Sequence, residues 1–235
     1  MFTKYHPYIV NAGKTLNWVP SDTEELYHEN LKKQRNLLEK YNWISTEVHY
    51  KFNSEGFRGE EFSIGGAMFL GCSYTFGIGL PKEHTFPHLV SSELSLPCVN
   101  LGLPASSADT AFRLACVWID SLQPKLVVYL SPFKSRFELL IHDYRSNEVE
   151  SRFITTMDQL LNFNNDPTWL KTEQNMLVNA EKNKLAIEKL CDDRNIQFVH
   201  EDVDSLITED LARDLLHPGI ESHNKFSQKL LKNLV

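Results

Sequence analysis

The chain has 235 residues, 42% hydrophobic and 23% charged, with a formal net charge of -7. This is the composition of a folded domain long enough to bury a full core, and its acidic balance excludes nucleic acid and an anionic membrane surface as expected partners. No run approaches the roughly 20 apolar residues of a membrane span and the N-terminus has no secretory h-region, so the expected context is cytoplasmic or virion-associated, with no membrane partner.

Residues 1–52 read as an N-terminal extension packed on a main domain running from 53 to 235. Within the extension, 22–40 set Leu26, Leu31, Leu37 and Leu38 among many charges, the pattern of one amphipathic helix capped by Ser21 or Asp22. Ala67-Met68-Phe69-Leu70, closed by Gly71, fits a short buried parallel strand. A helix over 84–94 and a second strand over 97–101, closed by Gly102, follow. From 107 to 122, Ala111, Leu114, Ala115, Trp118, Ile119 and Leu122 share one helix face. KLVVYL, residues 125–130, is a third strand on β-propensity. Residues 131–168 read as irregular, with a helix near 155–161. A long helix over 169–194, a fourth strand over 196–200 and a last helix over 220–234 complete the chain. Strands alternating with helices imply a parallel sheet covered on both faces, with ligands at the carboxyl ends of its strands.

Four cysteines, Cys72, Cys98, Cys116 and Cys191, form no CxxC pair or metal pattern and read as reduced thiols. His84 and His88 are four apart without the carboxylates of a metal site. Trp18, Trp43, Trp118 and Trp169 read as core or interface, Trp43 and Trp169 also as candidate cleft residues. No metal or cofactor is expected.

Three segments carry chemistry. Gly71-Cys72-Ser73-Tyr74-Thr75 directly follows the first sheet strand, which puts Ser73 at the sheet's carboxyl edge, as a nucleophile is placed. It lacks the second glycine of a G-x-S-x-G elbow and the Lys-Ser/Thr of a phosphate loop. In Asp214-Leu215-Leu216-His217-Pro218-Gly219, a carboxylate three residues before an imidazole can fix its orientation and tautomer. Asn100-Leu101-Gly102 ends the second strand, where a backbone N–H can face an oxyanion. Each segment alone also has a plain structural reading: a serine in a tight turn, a capping aspartate with a surface histidine, a strand-ending glycine.

Together the segments resemble the SGNH/GDSL hydrolases. GCSYTFGIGL with EHTFPHLVSSEL is similar to the first block of that family, VNLGLPASS to the second and DLLHPGIESHNKFSQKL to the fifth. Asn53-Ser54-Glu55-Gly56-Phe57-Arg58-Gly59 is similar to an N-x-x-G-F-R-G segment that precedes the domain in a subset of the family. The resemblance covers about 53–130 and 211–231. It implies a three-layer α/β/α, flavodoxin-like fold with a central parallel sheet of about five strands. It implies Ser73 as nucleophile, His217 as general base then acid, and Asp214 as orienting carboxylate. Backbone N–H groups of Ser73 and Gly102 become oxyanion donors. The implied reaction is ester hydrolysis through an acyl-enzyme, on a small-molecule or carbohydrate ester carrying a small, acetyl-type acyl group.

The sequence departs from the family at two places. Cys72 stands where an aspartate is usual. After the third strand the family has Gly-x-Asn-Asp, whose asparagine donates to the oxyanion; here the chain reads Ser131-Pro132-Phe133-Lys134-Ser135-Arg136. Ser131, Ser135 or Arg136 is then a substitute donor, or turnover is weak, or the substrate is unusual. Arg136 is also a candidate for binding a substrate carboxylate or phosphate, or for pairing with Glu138 or Glu83. A non-catalytic glycan- or partner-binding module and an O-acyltransferase are the alternative functions. The sequence leaves the oligomeric state open.

Overall fold

The structure is a computed structural model that describes residues 2–143, 148–154 and 172–234. The N-terminal residues supply β1 (Thr15–Leu16), α1 (Glu24–Lys33), α2 (Arg35–Lys40) and β2 (Tyr50–Lys51), with β1 and β2 paired antiparallel. The helix expected over 22–40 is broken at Gln34, whose φ of -137° ends α1. The break lets buried Asn30 face the 211–217 loop while Leu38 enters the core. The cap is Thr23, whose Oγ1 accepts the Leu26 N–H at 3.2 Å, not Ser21 or Asp22. Asp22 is instead buried in an ion pair.

The centre of the molecule is built from β3 (Ala67–Leu70), α3 (Ser73–Phe76), α4 (Phe86–Glu93), β4 (Cys98–Asn100), α5 (Ala108–Leu122), β5 (Leu126–Ser131), β6 (Phe137–Asp143), β7 (Glu148–Ile154), α6 (Glu173–Asp192), β8 (Gln197–Asp202) and α7 (Ile220–Leu234). β4, β3, β5 and β8 lie side by side in that order, all parallel. Four strands form this sheet among the described residues, where about five were expected. The chain after β8 turns through a short 3-10 segment, Val203–Ser205, and an irregular loop into α7.

The two central strands, β3 and β5, are buried on both faces because helices cover both; the edge strand β8 is only partly buried. Met68, Leu70, Val127 and Tyr129 point into one core with α5 and α6; Tyr8, Val19, Leu38, Trp43 and Tyr50 from the N-terminal residues join it. Ala67, Phe69, Leu126, Val128 and Leu130 point into the other, filled by Phe86 and Val90 of α4 and Phe226 and Leu230 of α7. The period of two along each strand thus sorts neighbouring residues into different cores. The architecture is a three-layer α/β/α sandwich.

Residues expected to be irregular form the β6–β7 hairpin, Phe137 opposite Ile154 through Asp143 opposite Glu148. It is moored by Arg113 of α5, whose Nε and Nη2 donate to Glu138 at 2.8 and 2.7 Å. The helix expected near 155–161 and Trp169 lie outside the described residues. All four cysteines are unpaired; Cys72 and Cys191 are buried. Among the described residues no helix is long and apolar enough to cross a membrane.

Two buried histidines make this fold acid-sensitive. His223, whose Nδ1 accepts the Phe86 N–H at 3.1 Å, is held down to about 3 by burial. His6 is held down to about 4, also chiefly by burial. Both are neutral when folded and take up protons on unfolding below their ordinary value near 6.5. Stability is therefore fully present above pH 6.5 and lost as pH falls from there toward 4, by about 1.4 kcal/mol per pH unit for each histidine. Urea unfolding at pH 7 and pH 5 is expected to show this loss. It should be smaller in His223→Asn, which keeps an acceptor for Phe86 without the titrating ring.

Candidate active site

The doubly wound order places β4 and β5 on opposite sides of β3, so the chain reverses direction across the sheet at the carboxyl end of β3. That is where such sheets open a crevice. Gly71 ends β3, and Ser73 opens α3, a single turn. A Cβ on Gly71 would lie 2.2 Å from Thr75 Oγ1 and 2.8 Å from the Leu130 carbonyl oxygen, so glycine alone allows this strand-to-helix turn against β5. Ser73 is nearly buried, and its hydroxyl makes no hydrogen bond among the described residues.

Asp214 and His217 come together in a tight loop closed by Ala212 N–H to the His217 carbonyl at 2.8 Å. Asp214 Oδ1 accepts the N–H groups of Leu216 and His217, each at 3.0 Å, and Oδ2 lies 2.5 Å from His217 Nδ1. The buried carboxylate is therefore locked and holds the imidazole by one nitrogen, leaving Nε2 for other work. Tyr74, next to Ser73, sets its ring edge-on to the His217 ring, centroids 5.7 Å apart. Burial pushes the Tyr74 phenol above its ordinary value. The Tyr74 ring thus sets His217 against the turn that carries Ser73; no hydrogen bond joins Ser73 and His217, and such bonds commonly tighten only when substrate is bound.

The N-terminal residues hold both loops. Arg213 lies against Asp22 with both ends of its fork, Nε at 3.1 Å and Nη2 at 2.7 Å, and Nη2 also donates to the Asn17 carbonyl at 2.6 Å. Asn30 Nδ2 donates to the Asp214 carbonyl at 3.2 Å and Trp43 Nε1 to the Leu211 carbonyl at 2.7 Å, so Trp43 braces this loop while also lining a surface cavity with Trp18 and Arg213. Arg58 donates to the carbonyls of Phe76, Gly77 and Leu80 just after Ser73's helix, at 3.1, 2.5 and 2.6 Å. Of these residues, the sequence marks Arg58 through its motif, Trp43 as a candidate cleft residue and Asp22 as a candidate helix cap. The others are single polar groups acting across 100 residues or more, with no periodicity to reveal them.

Gly102 is placed differently from the expectation. Its N–H donates to Asn100 Oδ1 at 2.9 Å, while Asn100 Nδ2 donates to the Thr75 carbonyl at 2.9 Å. A Cβ on Gly102 would sit 2.6 Å from Phe76 N. Gly102 thus lets the two loops touch, and its N–H is already engaged. Another N–H nearby without a partner among the described residues, besides that of Ser73, is that of Ala105. Leu103-Pro104-Ala105-Ser106 is a turn closed by Ser106 N–H to the Leu103 carbonyl at 3.1 Å, and Ala105 at its third position has φ 67°. The Ala105 N–H has no partner among the described residues, and the turn closes on Gly71, whose carbonyl accepts Leu103 N–H at 3.1 Å and Ser106 Oγ at 3.0 Å. Pro104 was the available signal, since proline favours the second position of such a turn.

Beyond β5, Ser131 Oγ is 2.7 Å from His200 Nε2 on β8, and burial holds His200 below its ordinary value. Ser135 is in the turn from Phe133 to Arg136, which Arg136 N–H closes on the Phe133 carbonyl at 3.1 Å. Phe133 packs edge-on against Tyr74, with centroids 6.1 Å apart, and carries the Arg136 guanidinium 4.8 Å above its ring. Arg136 pairs with neither Glu138 nor Glu83. Among the described residues no three His, Cys, Asp or Glu side chains gather as a metal would need.

A serine, a histidine held by a carboxylate, and free backbone N–H groups at the carboxyl edge of a doubly wound sheet are the components of nucleophilic acyl chemistry. No protein-family model matches the chain, and no curated protein matches it in sequence. Solved structures similar to it include a Desulfitobacterium hafniense protein assigned to the G-D-S-L lipolytic family, at 15% identity over 72% of this chain and 98% of that one, TM-score 0.36. An acetyl xylan esterase, AlAXEase, matches at 15% identity over 72% and 99%, TM-score 0.37. The psychrotrophic esterase EstA of Pseudoalteromonas matches at 13% over 72% and 95%, TM-score 0.36.

The Arg213–Asp22 pair yields a direct test. Asp22→Asn leaves a buried guanidinium without its counter-charge and is expected to cost about 3–5 kcal/mol in urea unfolding. The double variant Asp22→Leu with Arg213→Met should recover most of that loss.

Proposed function

We propose that the protein is a serine-dependent ester hydrolase of the SGNH kind, with Ser73 as nucleophile, His217 as base and Asp214 as orienting carboxylate. The observation that carries this reading is the locked Asp214–His217 pair, 2.5 Å apart, beside the turn that presents Ser73. Two backbone N–H groups fix the carboxylate through Oδ1, which leaves Oδ2 to orient the imidazole, more than a surface histidine requires.

In the proposed cycle His217 Nε2 takes the Ser73 hydroxyl proton as Oγ attacks the acyl carbon. The tetrahedral oxyanion accepts from the N–H groups of Ser73 and Ala105. His217 then protonates the leaving alcohol as its bond to the acyl carbon breaks, giving the Ser73 ester. Water, deprotonated by His217, attacks that ester, and Ser73 leaves with the proton as the acid is released. Ala105 replaces the earlier assignment of Gly102, because the Gly102 N–H is bonded to Asn100. Small acyl esters, including acetyl esters of carbohydrates, are the proposed substrates. A hole short of a side-chain donor costs on the order of 100- to 1000-fold in rate, so turnover slower than that of a fully furnished hydrolase is expected.

The same shortfall favours a second reading, a module that binds an ester or glycan without turnover. Labelling with a fluorophosphonate, together with p-nitrophenyl acetate hydrolysis, decides between them. The wild type is expected to label and to release p-nitrophenol. Ser73→Ala should abolish labelling and, with His217→Ala, lower kcat/KM by about 1000-fold or more. Asp214→Asn should lower it less. A wild type that neither labels nor exceeds the Ser73→Ala rate would leave the binding module standing.

A further inference from the structure

Arg136, beside this site, forms no ion pair among the described residues. Its Nη1 is shut off from water and makes no hydrogen bond. The nearest acidic residue in sequence, Glu138, is taken by Arg113 at 2.8 and 2.7 Å and by Ser151 Oγ at 2.5 Å. Asp204, whose charge reaches Tyr74 as that of Arg136 does, forms no ion pair with it. The contact that fixes Arg136 is the face of Phe133, 4.8 Å from the guanidinium carbon. Phe133 meets Tyr74 and Tyr74 meets His217, so a continuous row of rings joins the cation to the proposed base.

We propose that Arg136 forms a subsite for an anionic oxygen group, a carboxylate or a phosphate, carried by the ester that Ser73 attacks. The proposal rests on the ester-hydrolase reading and names the substrate class within it: esters with a negative charge near the scissile bond. With Nη1 sealed from water, an incoming anion would meet the guanidinium at its other N–H groups and supply the counter-charge it lacks among the described residues. The guanidinium fork matches a carboxylate or phosphate edge with two parallel hydrogen bonds, and its contact with the Phe133 ring limits where that edge can approach. An acidic chain with a net charge of -7 gains little general attraction for anions, so selection of this kind needs a local, uncommitted cation.

The test compares mono-p-nitrophenyl succinate with p-nitrophenyl butyrate, alike in length and different in charge. Wild type is expected to prefer the succinate ester. Arg136→Gln should lower kcat/KM for it by roughly tenfold more than for the butyrate, the factor of one charge-assisted hydrogen bond; Arg136→Lys should restore part of the preference. In parallel, calorimetric titration with succinate and with inorganic phosphate reads binding without turnover. At least one is expected to bind wild type and not Arg136→Gln, and which one tells carboxylate from phosphate. Equal losses on both esters would instead assign Arg136 to the reacting oxyanion and overturn the subsite, as would anion binding unchanged by Arg136→Gln. If wild type hydrolyses neither ester yet binds an anion through Arg136, the hydrolase reading fails and the anion site stands.

Discussion

Arg213 and Asp22 lie 191 residues apart in the chain and meet with side chains 7% and 1% exposed. Taking two charges out of water costs several kcal/mol for each, and their attraction offsets this only when geometry and further hydrogen bonds are good. Here both are. The carboxylate is met by both ends of the guanidinium fork and by the Tyr50 hydroxyl, and the guanidinium also donates to the Asn17 carbonyl and lies 4.0 Å over the Trp18 ring. Tyr50 then accepts the Gly79 N–H at 2.8 Å, and the Gly79 carbonyl accepts the Arg213 N–H at 3.1 Å. The circuit closes on itself and ties the loop after Ser73 to the loop that carries Asp214 and His217. Leu215 in that loop holds φ 56°, a conformation costing roughly 1–2 kcal/mol for a residue with a side chain, so the loop needs such external clamps.

Arg58 does for one loop what the ion pair does for two. It is buried without a carboxylate in contact, and burial lowers its pKa to about 10, still well above neutrality. Its charge is met by the carbonyls of His49, Phe76, Gly77 and Leu80 and by the faces of Tyr50 and Phe76. Carbonyls at the end of α3 would otherwise face a dry interior. Asn53 sets up the approach, its Oδ1 accepting the N–H groups of Glu55 and Phe57. The N-x-x-G-F-R-G segment is thus a brace for the turn that displays Ser73, which gives the N-terminal residues a definite task.

The central strands β3 and β5 were legible in the sequence because burial on both faces leaves short apolar runs such as 67–70 and 126–130. Helix α5 was legible because one face of it is apolar at helical spacing. The β6–β7 hairpin was not, since Phe137 to Asp143 mixes apolar and charged residues without strict alternation. The break at Gln34 was hidden for another reason: the leucines on either side of it still fall at helical spacing. At the site, Asp214 and His217 were legible as a local pair, three residues apart, and meet as expected. The engagement of the Gly102 N–H was not, because it depends on how the Asn100 side chain bridges two loops. Nor was the unpartnered N–H of Ala105, which exists only once Pro104 has set the turn.

The end of β5 shows how the absent asparagine shapes the proposed site. Ser131, the first polar residue there, turns its hydroxyl to His200 on the neighbouring strand and stays out of the crevice. Phe133 follows, and it meets Tyr74 with an apolar edge where a donor would otherwise be expected. One wall of the proposed site is therefore aromatic, and the proposed cycle leaves charge stabilisation to backbone N–H groups. Backbone donors are rigid, but two of them hold a developing oxyanion less firmly than three. Binding energy from a remote part of the substrate can make up the difference by fixing the acyl carbon over Ser73, since positioning alone is worth several kcal/mol of barrier. The Arg136 guanidinium over Phe133, without an ion pair among the described residues, is the group proposed to supply such an anchor.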